Sequence, residues 1–383
     1  MEHRKEGAGL PGEFEVIRRI GHAVPEANPS VLMGIGDDAA AVVPAPGMTT
    51  LLTTDTFVEG VDFDLAFSSW RQIGWKCMAA NYSDIAAMGG VPRHALTTLC
   101  LPAHRSMEDV EALYAGFQDL AGHAGHPVSI VGGDLSSVVG LDGPTVISIT
   151  VSGEAAEEHI TRRSGARVGD ILCVTGHLGA SETGLRLLRS AREQSTAGSP
   201  AAGRPATQGP ATQGTTERSA TPRTAVRPDS EQPADRFEGV LCRHRTPVPR
   251  VREGVLLSNS GWVRAMIDVS DGLSSDALHV AHGSEVGLNL DGNALPIAEE
   301  TRRAMEELRL DPVGTALESG EEFELLCAIA PEGVEQLANE LADHTGTMLT
   351  PIGECVSADR GCTITDHSGP RPLRPQGYEH FSG

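Results

Sequence analysis

The sequence predicts a two-domain α/β protein with mixed sheets, and three observations carry that expectation. Runs of β-branched and aliphatic residues alternate with segments of helical period through both halves of the chain. The length of 383 residues is enough for two or three ordinary domains with ample core. Hydrophobic residues are 39% and aromatics only 4%, so the core has to be built from Ala, Val, Ile and Leu.

The elements follow in order. Met33–Ile35 and Thr50–Thr54 read as strands, each followed by turn chemistry. Ser69 is placed to cap a helix from Trp70 to Met88, which Gly89, Gly90 and Pro92 close. Ala95–Leu101 is a strand. Met107–Gly122 is a helix, with Val110, Leu113, Phe117 and Leu120 at helical spacing. Val128–Val131 and Thr145–Ser152 are strands, and the acidic loop Glu154–Glu158 marks a boundary near residue 155. The domains are therefore expected at 1–155 and 156–383. From about 194 to 235 the chain is Ser, Thr, Ala, Pro, Gly, Gln and Arg, with PATQG at Pro205–Gly209 and again at Pro210–Gly214. Such a composition buries too little surface to offset ordering entropy, so it reads as a disordered insertion looping out of a folded domain. Beyond it come a strand at Arg264–Ile267, a helix at Gly272–His282, a strand at Val286–Leu290 and a helix at Glu300–Leu308. Phe323–Ala330 is a strand, Val334–Ala342 a helix, and Met348–Ile352 a last strand.

Charge narrows the function. Lys and Arg number 30 against 52 Asp and Glu, a formal net charge of −22. That argues against a nucleic-acid or anionic-membrane binder, both of which need clustered cations. It leaves room for a nucleotide enzyme, because divalent cations can stand between carboxylates and phosphates. No apolar run reaches the length of a membrane span, and the polar N-terminus has no signal-peptide core. The seven cysteines are scattered without a CxxC pair, as expected of small core residues in a reducing cytoplasm.

The informative pattern is where the acids fall. Four apolar runs lead straight into Asp: Gly34-Ile35-Gly36-Asp37-Asp38, Thr53-Thr54-Asp55, Val131-Gly132-Gly133-Asp134 and Ile267-Asp268-Val269-Ser270-Asp271. Ligands bind at the carboxyl ends of strands in α/β sheets, and glycines let backbone approach them. A fifth acid, Asp84, lies in an Ala-rich helix where burial would demand a partner. Two carboxylates about 4 Å apart repel by roughly 4 kcal/mol at an effective dielectric near 20, so a convergent set needs cations. The donors on offer are oxygens, with no His/Cys cluster, which selects a hard metal, Mg²⁺ by default. Two acids directly after Gly34-Ile35-Gly36 exclude a Rossmann phosphate turn. A Walker motif and the protein-kinase motifs are absent.

Taken in order, the motifs GIGDDAA, TTDTFVEGVDF, NYSDIAAMGG, VGGD, RRSGARVGD, VTGHLG, PVPR, MIDVSDGLSSD and SGEEFELL resemble the thiamine-monophosphate kinase family. That family belongs to a superfamily with aminoimidazole ribonucleotide synthetase, selenophosphate synthetase and a hydrogenase-maturation protein. The resemblance runs from Gly12-Glu13-Phe14-Glu15 to Gly377-Tyr378-Glu379-His380-Phe381, broken by the insertion. It implies the two-domain aminoimidazole ribonucleotide synthetase-like architecture. It also implies ATP-dependent phosphorylation of thiamine monophosphate to thiamine diphosphate, by direct in-line transfer with several Mg²⁺ ions, in a homodimer paired through its N-terminal domains.

Carried onto this chain, the resemblance implies metal ligation by Asp38, Thr53, Thr54, Asp55, Asp84, Asp134, Asp268 and Asp271. It implies ATP contacts from Tyr114, Gly133, Asp134, Arg163 and Ser270, and substrate contacts from Glu321 and Tyr378. Asp62 stands where the family often has a substrate-contacting His. Glu321 would face the cationic rings, and Tyr378 would stack on them. Because the acceptor is itself a phosphate, no general base is assigned. Two other readings remain open from sequence: the same chemistry on another superfamily acceptor, and a sensor that binds Mg-ATP without turnover.

Overall fold

The structure is a computed structural model that describes residue 10 and residues 13–24, 29–35, 39–138, 143–197 and 236–377. Asp38, Tyr378 and the insertion from 198 to 235 lie outside the described residues.

The N-terminal half begins with α1 (Glu13–Ala23) and the short pair β1 (Val31–Met33) and β2 (Ala41–Val42). A four-stranded sheet follows, in the order β3-β6-β4-β5, from β3 (Met48–Val58), β4 (Val91–Pro102), β5 (Ser129–Val138) and β6 (Val146–Ala156). β4 and β5 are parallel and the other pairs antiparallel. Two helices cover one face, α2 (Trp70–Ala87) and α3 (Met107–Ala124). Each starts on a reciprocal capping box, Ser69 with Gln72 and Ser106 with Asp109. Where the two helices cross, Gly74 and Gly116 bring the backbones into contact. A Cβ on Gly74 would lie 2.1 Å from the Leu113 carbonyl oxygen, and one on Gly116 2.0 Å from that of Arg71. The other face of the sheet is open, with Leu52 73% and Leu96 42% exposed.

The C-terminal half is a seven-stranded sheet in the order β13-β12-β9-β11-β7-β10-β8. Its strands are β7 (Ile171–Thr175), β8 (Val263–Asp268), β9 (Gly287–Asp291), β10 (Leu325–Ile329), β11 (Leu349–Val356), β12 (Cys362–Asp366) and β13 (Gly369–Pro372). One face packs on α7 (Leu273–Ser284), α8 (Glu299–Leu308) and α9 (Pro312–Glu318). The opposite face packs on α6 (Val251–Asn259), α10 (Val334–Thr345) and Ala87 at the end of α2. The hairpin of α4 (Ala180–Ala197) and α5 (Glu238–Arg245) flanks this domain and carries the insertion. Helix α2 is apolar or small on most sides because both domains bury it. A Cβ on Gly254 of α6 would meet the Ala86 carbonyl oxygen at 2.2 Å.

Several sequence expectations change. The helix before the insertion continues through Gln194 to Ala197. The strand at Met348–Ile352 is not the last, since β12 and β13 follow it. Asp55 and Asp134 lie within β3 and β5 rather than in turns after them, because both strands run longer than their apolar cores. Gly133 permits this in β5, where a Cβ would lie 1.9 Å from the Thr97 carbonyl oxygen of β4.

Candidate active site

The acids converge between the two sheets. Strand alternation sends Thr53 and Asp55 of β3 to the helix-covered face, beside buried Leu51 and Phe57. Helix α2 supplies Ser83 and Asp84, β8 ends in Asp268, and the turn into α7 carries Ser270 and Asp271. The Thr53 hydroxyl donates to Asp84 Oδ2, and the Ser83 hydroxyl donates to Asp268 Oδ2 at 2.7 Å. Two consecutive α2 residues thus tie a carboxylate to each sheet.

Their charges feel one another. Burial, then the nearby Asp84 carboxylate, pushes Asp55 up to about 7. Burial does the same to Asp268, also to about 7, with Asp84 and then Asp55 adding to it. Asp84 is raised by burial and by Asp271, against the lowering bond from Thr53. Asp276, in the first turn of α7, is pushed to about 8 by burial, then by Asp268 and Asp271. Asp55 Oδ2 and Asp276 Oδ2 are buried with no hydrogen-bond partner among the described residues. Crowded, partly orphaned oxygens are a donor set that fits a hard divalent cation. Among the described residues no three acid, His or Cys side chains already form a closed cage. A cation held here would complete its shell with water and phosphate oxygens.

A cleft of about 810 Å³ opens from Asp55 and Asp271. Asp62 lines it from the turn after β3, where its carboxylate accepts the Val58 amide at 2.8 Å. Glu321 lines it from the loop before β10 and accepts from Lys76 Nζ of α2 at 2.7 Å. Buried acids on either side of Phe323 fix that loop. Glu322, pushed by burial up to about 7, accepts the Ser319 hydroxyl at 2.5 Å and the Ser181 amide of α4 at 3.1 Å. Glu324 takes both arms of Arg250, each at 2.6 Å, and the Thr175 hydroxyl at 2.7 Å. The fixed backbone is strained, with Glu321 at φ +56° and Phe323 at φ +52°. At the far end, Arg192 of α4 meets Asp64 at 2.8 Å and lies over the Phe67 ring, joining the two domains.

Other expected residues fall elsewhere. Thr54 points to the open face, where its hydroxyl meets the Ile149 carbonyl and the Thr150 hydroxyl, so only its backbone faces the cluster. Asp134 is exposed on that same face, since neighbouring Leu135 packs on the helix-side core. Tyr114, expected against the nucleotide, is only 4% exposed, packs edge-on to Phe117 and bonds Thr97 at 2.7 Å. Its ring is a core residue, because α3 lies directly beneath β4. Arg163 is exposed in the β6–β7 connector, next to Arg162, whose carbonyl accepts from the Met266 amide of β8. The sequence reading missed Lys76, Ser83 and Asp276. The only signal for Asp276 was its place at the end of the MIDVSDGLSSD run.

Comparisons agree with this architecture. Residues 36–155 match the N-terminal domain of AIR synthase related proteins, and residues 227–365 match their C-terminal domain. Hydrogenase maturation protein HypE of E. coli has the same fold, with a TM-score of 0.68 at 22% identity. The fold and site thus define an AIR synthase related protein. Thiamine-monophosphate kinase of Rhodopirellula baltica is 33% identical, over 92% of each chain. That of Bacillus subtilis is 32% identical, over 96% of this chain and 99% of its own. The crystal structure of thiamine-monophosphate kinase from Stenotrophomonas maltophilia K279a superposes with a TM-score of 0.71 at 30% identity, covering 93% of this chain and 97% of its own. A further structure, AaThiL complexed with AMPPCP and TMP, has a TM-score of 0.67 at 26% identity and covers both chains fully. The chain belongs to the thiamine-monophosphate kinase family.

Proposed function

We propose that this protein transfers the γ-phosphoryl of ATP to thiamine monophosphate, giving thiamine diphosphate and ADP. The observation that carries the reading is the convergence of Asp55, Asp84, Asp268 and Asp271 at one end of an inter-domain cleft. Full-length kinship to kinases of this name, and a relative complexed with AMPPCP and TMP, supports it.

In the reaction an oxygen of the acceptor phosphate attacks the γ-phosphorus. One O–P bond forms and the bond to the β-bridging oxygen breaks, with ADP leaving in line. A phosphate monoester is already ionised at neutral pH, so no side chain has to remove a proton. The protein's task is to align two anions and neutralise them. Mg²⁺ supplies that neutralisation when bound, and Asp55, Asp84, Asp268 and Asp271 are the residues to hold it, with Asp38 a further candidate. Thr53 and Ser83 orient the carboxylates they bond. Gly133, Asp134, Arg163 and Ser270 are proposed for the nucleotide, and Asp62, Glu321 and Tyr378 for the substrate.

The reading extends to organisation. The domain division is proposed at residue 155, at the end of β6. The open face of the small sheet, with Leu52 and Leu96 bare, is proposed as the homodimer surface. A cytoplasmic location fits seven cysteines that are all free. No helix among the described residues is long and apolar enough to cross a membrane.

The test is to offer thiamine monophosphate, thiamine and aminoimidazole- or selenide-type acceptors with ATP and Mg²⁺. The expected result is thiamine diphosphate from thiamine monophosphate alone, lost on Asp55→Asn. Turnover of another acceptor, or Mg-ATP binding with no product from any, would sink the proposal.

A further inference from the structure

We infer that Lys76 anchors the phosphate of the acceptor, and that Glu321, besides being proposed for the substrate, positions Lys76 for that task. The inference rests on the kinase reading and adds a residue to it.

Lys76 is 4% exposed and lines the cleft from α2. An ammonium has three donors, and Glu321 Oε2 is the one acceptor it has among the described residues. A buried cation with unused donors is costly unless an anion completes it. Glu321, for its part, is committed. Its amide donates to the Ser270 carbonyl at 2.8 Å, and Glu322 and Glu324 clamp the loop that carries it. Its carboxylate is thereby delivered to Lys76, and His244 Nδ1 stands 3.8 Å away. Burial holds the His244 pKa well below its ordinary value, so the imidazole adds no competing charge.

Position favours the acceptor phosphate over the nucleotide. Lys76 lines the same cleft as Asp55 and Asp271, of the metal-type acids, and as Asp62 and Glu321, proposed for the substrate. Of the residues proposed for the nucleotide, Gly133, Asp134 and Arg163 do not line this cleft, and Ser270 does, beside Asp271. Of the other cations lining the cleft, Arg186, Arg189 and Arg192 stand on α4 and Arg245 donates to the Phe67 carbonyl, whereas Lys76 stands on α2, the helix that carries Asp84. Lys76 is thus the cleft cation on the helix beside the acid cluster, where an acceptor phosphate has to stand for in-line transfer.

Calorimetry on the full chain with Mg²⁺ separates the possibilities, using thiamine monophosphate and AMPPCP as ligands. Lys76→Met is expected to weaken thiamine monophosphate about 10- to 100-fold, the worth of a charge-assisted hydrogen bond, and to leave AMPPCP within about twofold. Glu321→Gln is expected to weaken thiamine monophosphate in the same direction, and the double variant to be no worse than Lys76→Met. Unchanged thiamine monophosphate affinity in Lys76→Met, an equal loss of both ligands, or additive losses in the double variant would overturn the inference. If Lys76→Met melts early, Lys76→Gln keeps a donor to Glu321 without the charge and reads the same split. Wild-type turnover in the same preparation separates failure of this inference from failure of the kinase reading.

Discussion

Asp55 is an uncomfortable residue for a strand interior. Its buried Oδ2 has no partner among the described residues, and Asp84 faces it across the β3–α2 contact. With Asp55 and Asp268 raised to about 7 and Asp276 to about 8, the folded state holds more protons than the unfolded chain from the ordinary carboxylate range up to those values. Stability of the metal-free protein therefore falls as pH rises across that window. Thermal melts in EDTA should drop between pH 5.5 and pH 8 by about 2 °C or more, with Mg²⁺ removing most of the drop. A flat profile would mean the acids do not crowd one another. Asp55→Asn should make the profile shallower, leaving the share of Asp268 and Asp276, while abolishing turnover, a residue kept for function at a cost in stability. Asp84 and Asp268 were legible because an acid in an apolar run demands a reason. Lys76 was not, since a lone Lys on an Ala-rich helix reads as a solvated stem, and only the other domain's Glu321 reveals it. Tyr114 shows the converse. A motif position carries no depth, and the packing of α3 under β4 decides that its ring is buried.

At the scale of elements, α2 organises the site. It begins on the Ser69 capping box in the N-terminal domain, presents Lys76, Ser83 and Asp84 midway, and buries Ala87 against the C-terminal sheet. Its placement depends on the Gly74–Gly116 crossing, where no Cβ fits on either helix. Gly74→Ala forces the helices apart and should cost about 1–3 kcal/mol in denaturant unfolding, with a larger proportional loss of activity than of stability. A neutral substitution would show that the crossing can relax without moving the acids. The Ser69 cap made α2 legible from sequence, and the spacing of Val110, Leu113, Phe117 and Leu120 made α3 legible, each to within two residues at its ends. Elements without such signals were not. α5, Glu238–Arg245, is polar and short, and β13, Gly369–Pro372, has the composition of a turn and forms only by pairing with β12.

For the molecule as a whole, two sheets of different make share one cleft. The larger is covered on both faces, and the smaller leaves one face bare, with Leu52 exposed on its edge strand β3. If that face pairs two copies, Leu52→Asp should convert a dimer to a monomer in light scattering, while the cleft behind the sheet keeps its acids. A wild-type monomer at all concentrations would refute the pairing. The two-domain mixed α/β class was legible because strand-like and helical periods alternate on both sides of the boundary. The order of the seven strands was not, because long-range pairings such as β9 between β11 and β12 leave no local trace.

The central claim is direct phosphoryl transfer in this cleft, and ³¹P NMR of one reaction mixture tests it most directly. With ATP, Mg²⁺ and thiamine monophosphate, the ATP γ-signal should disappear as ADP and the two phosphorus signals of thiamine diphosphate appear in equal amount. The Asp55→Asn protein should leave the spectrum unchanged. Formation of AMP with pyrophosphate, or of ADP with free phosphate and no thiamine diphosphate, would contradict the account.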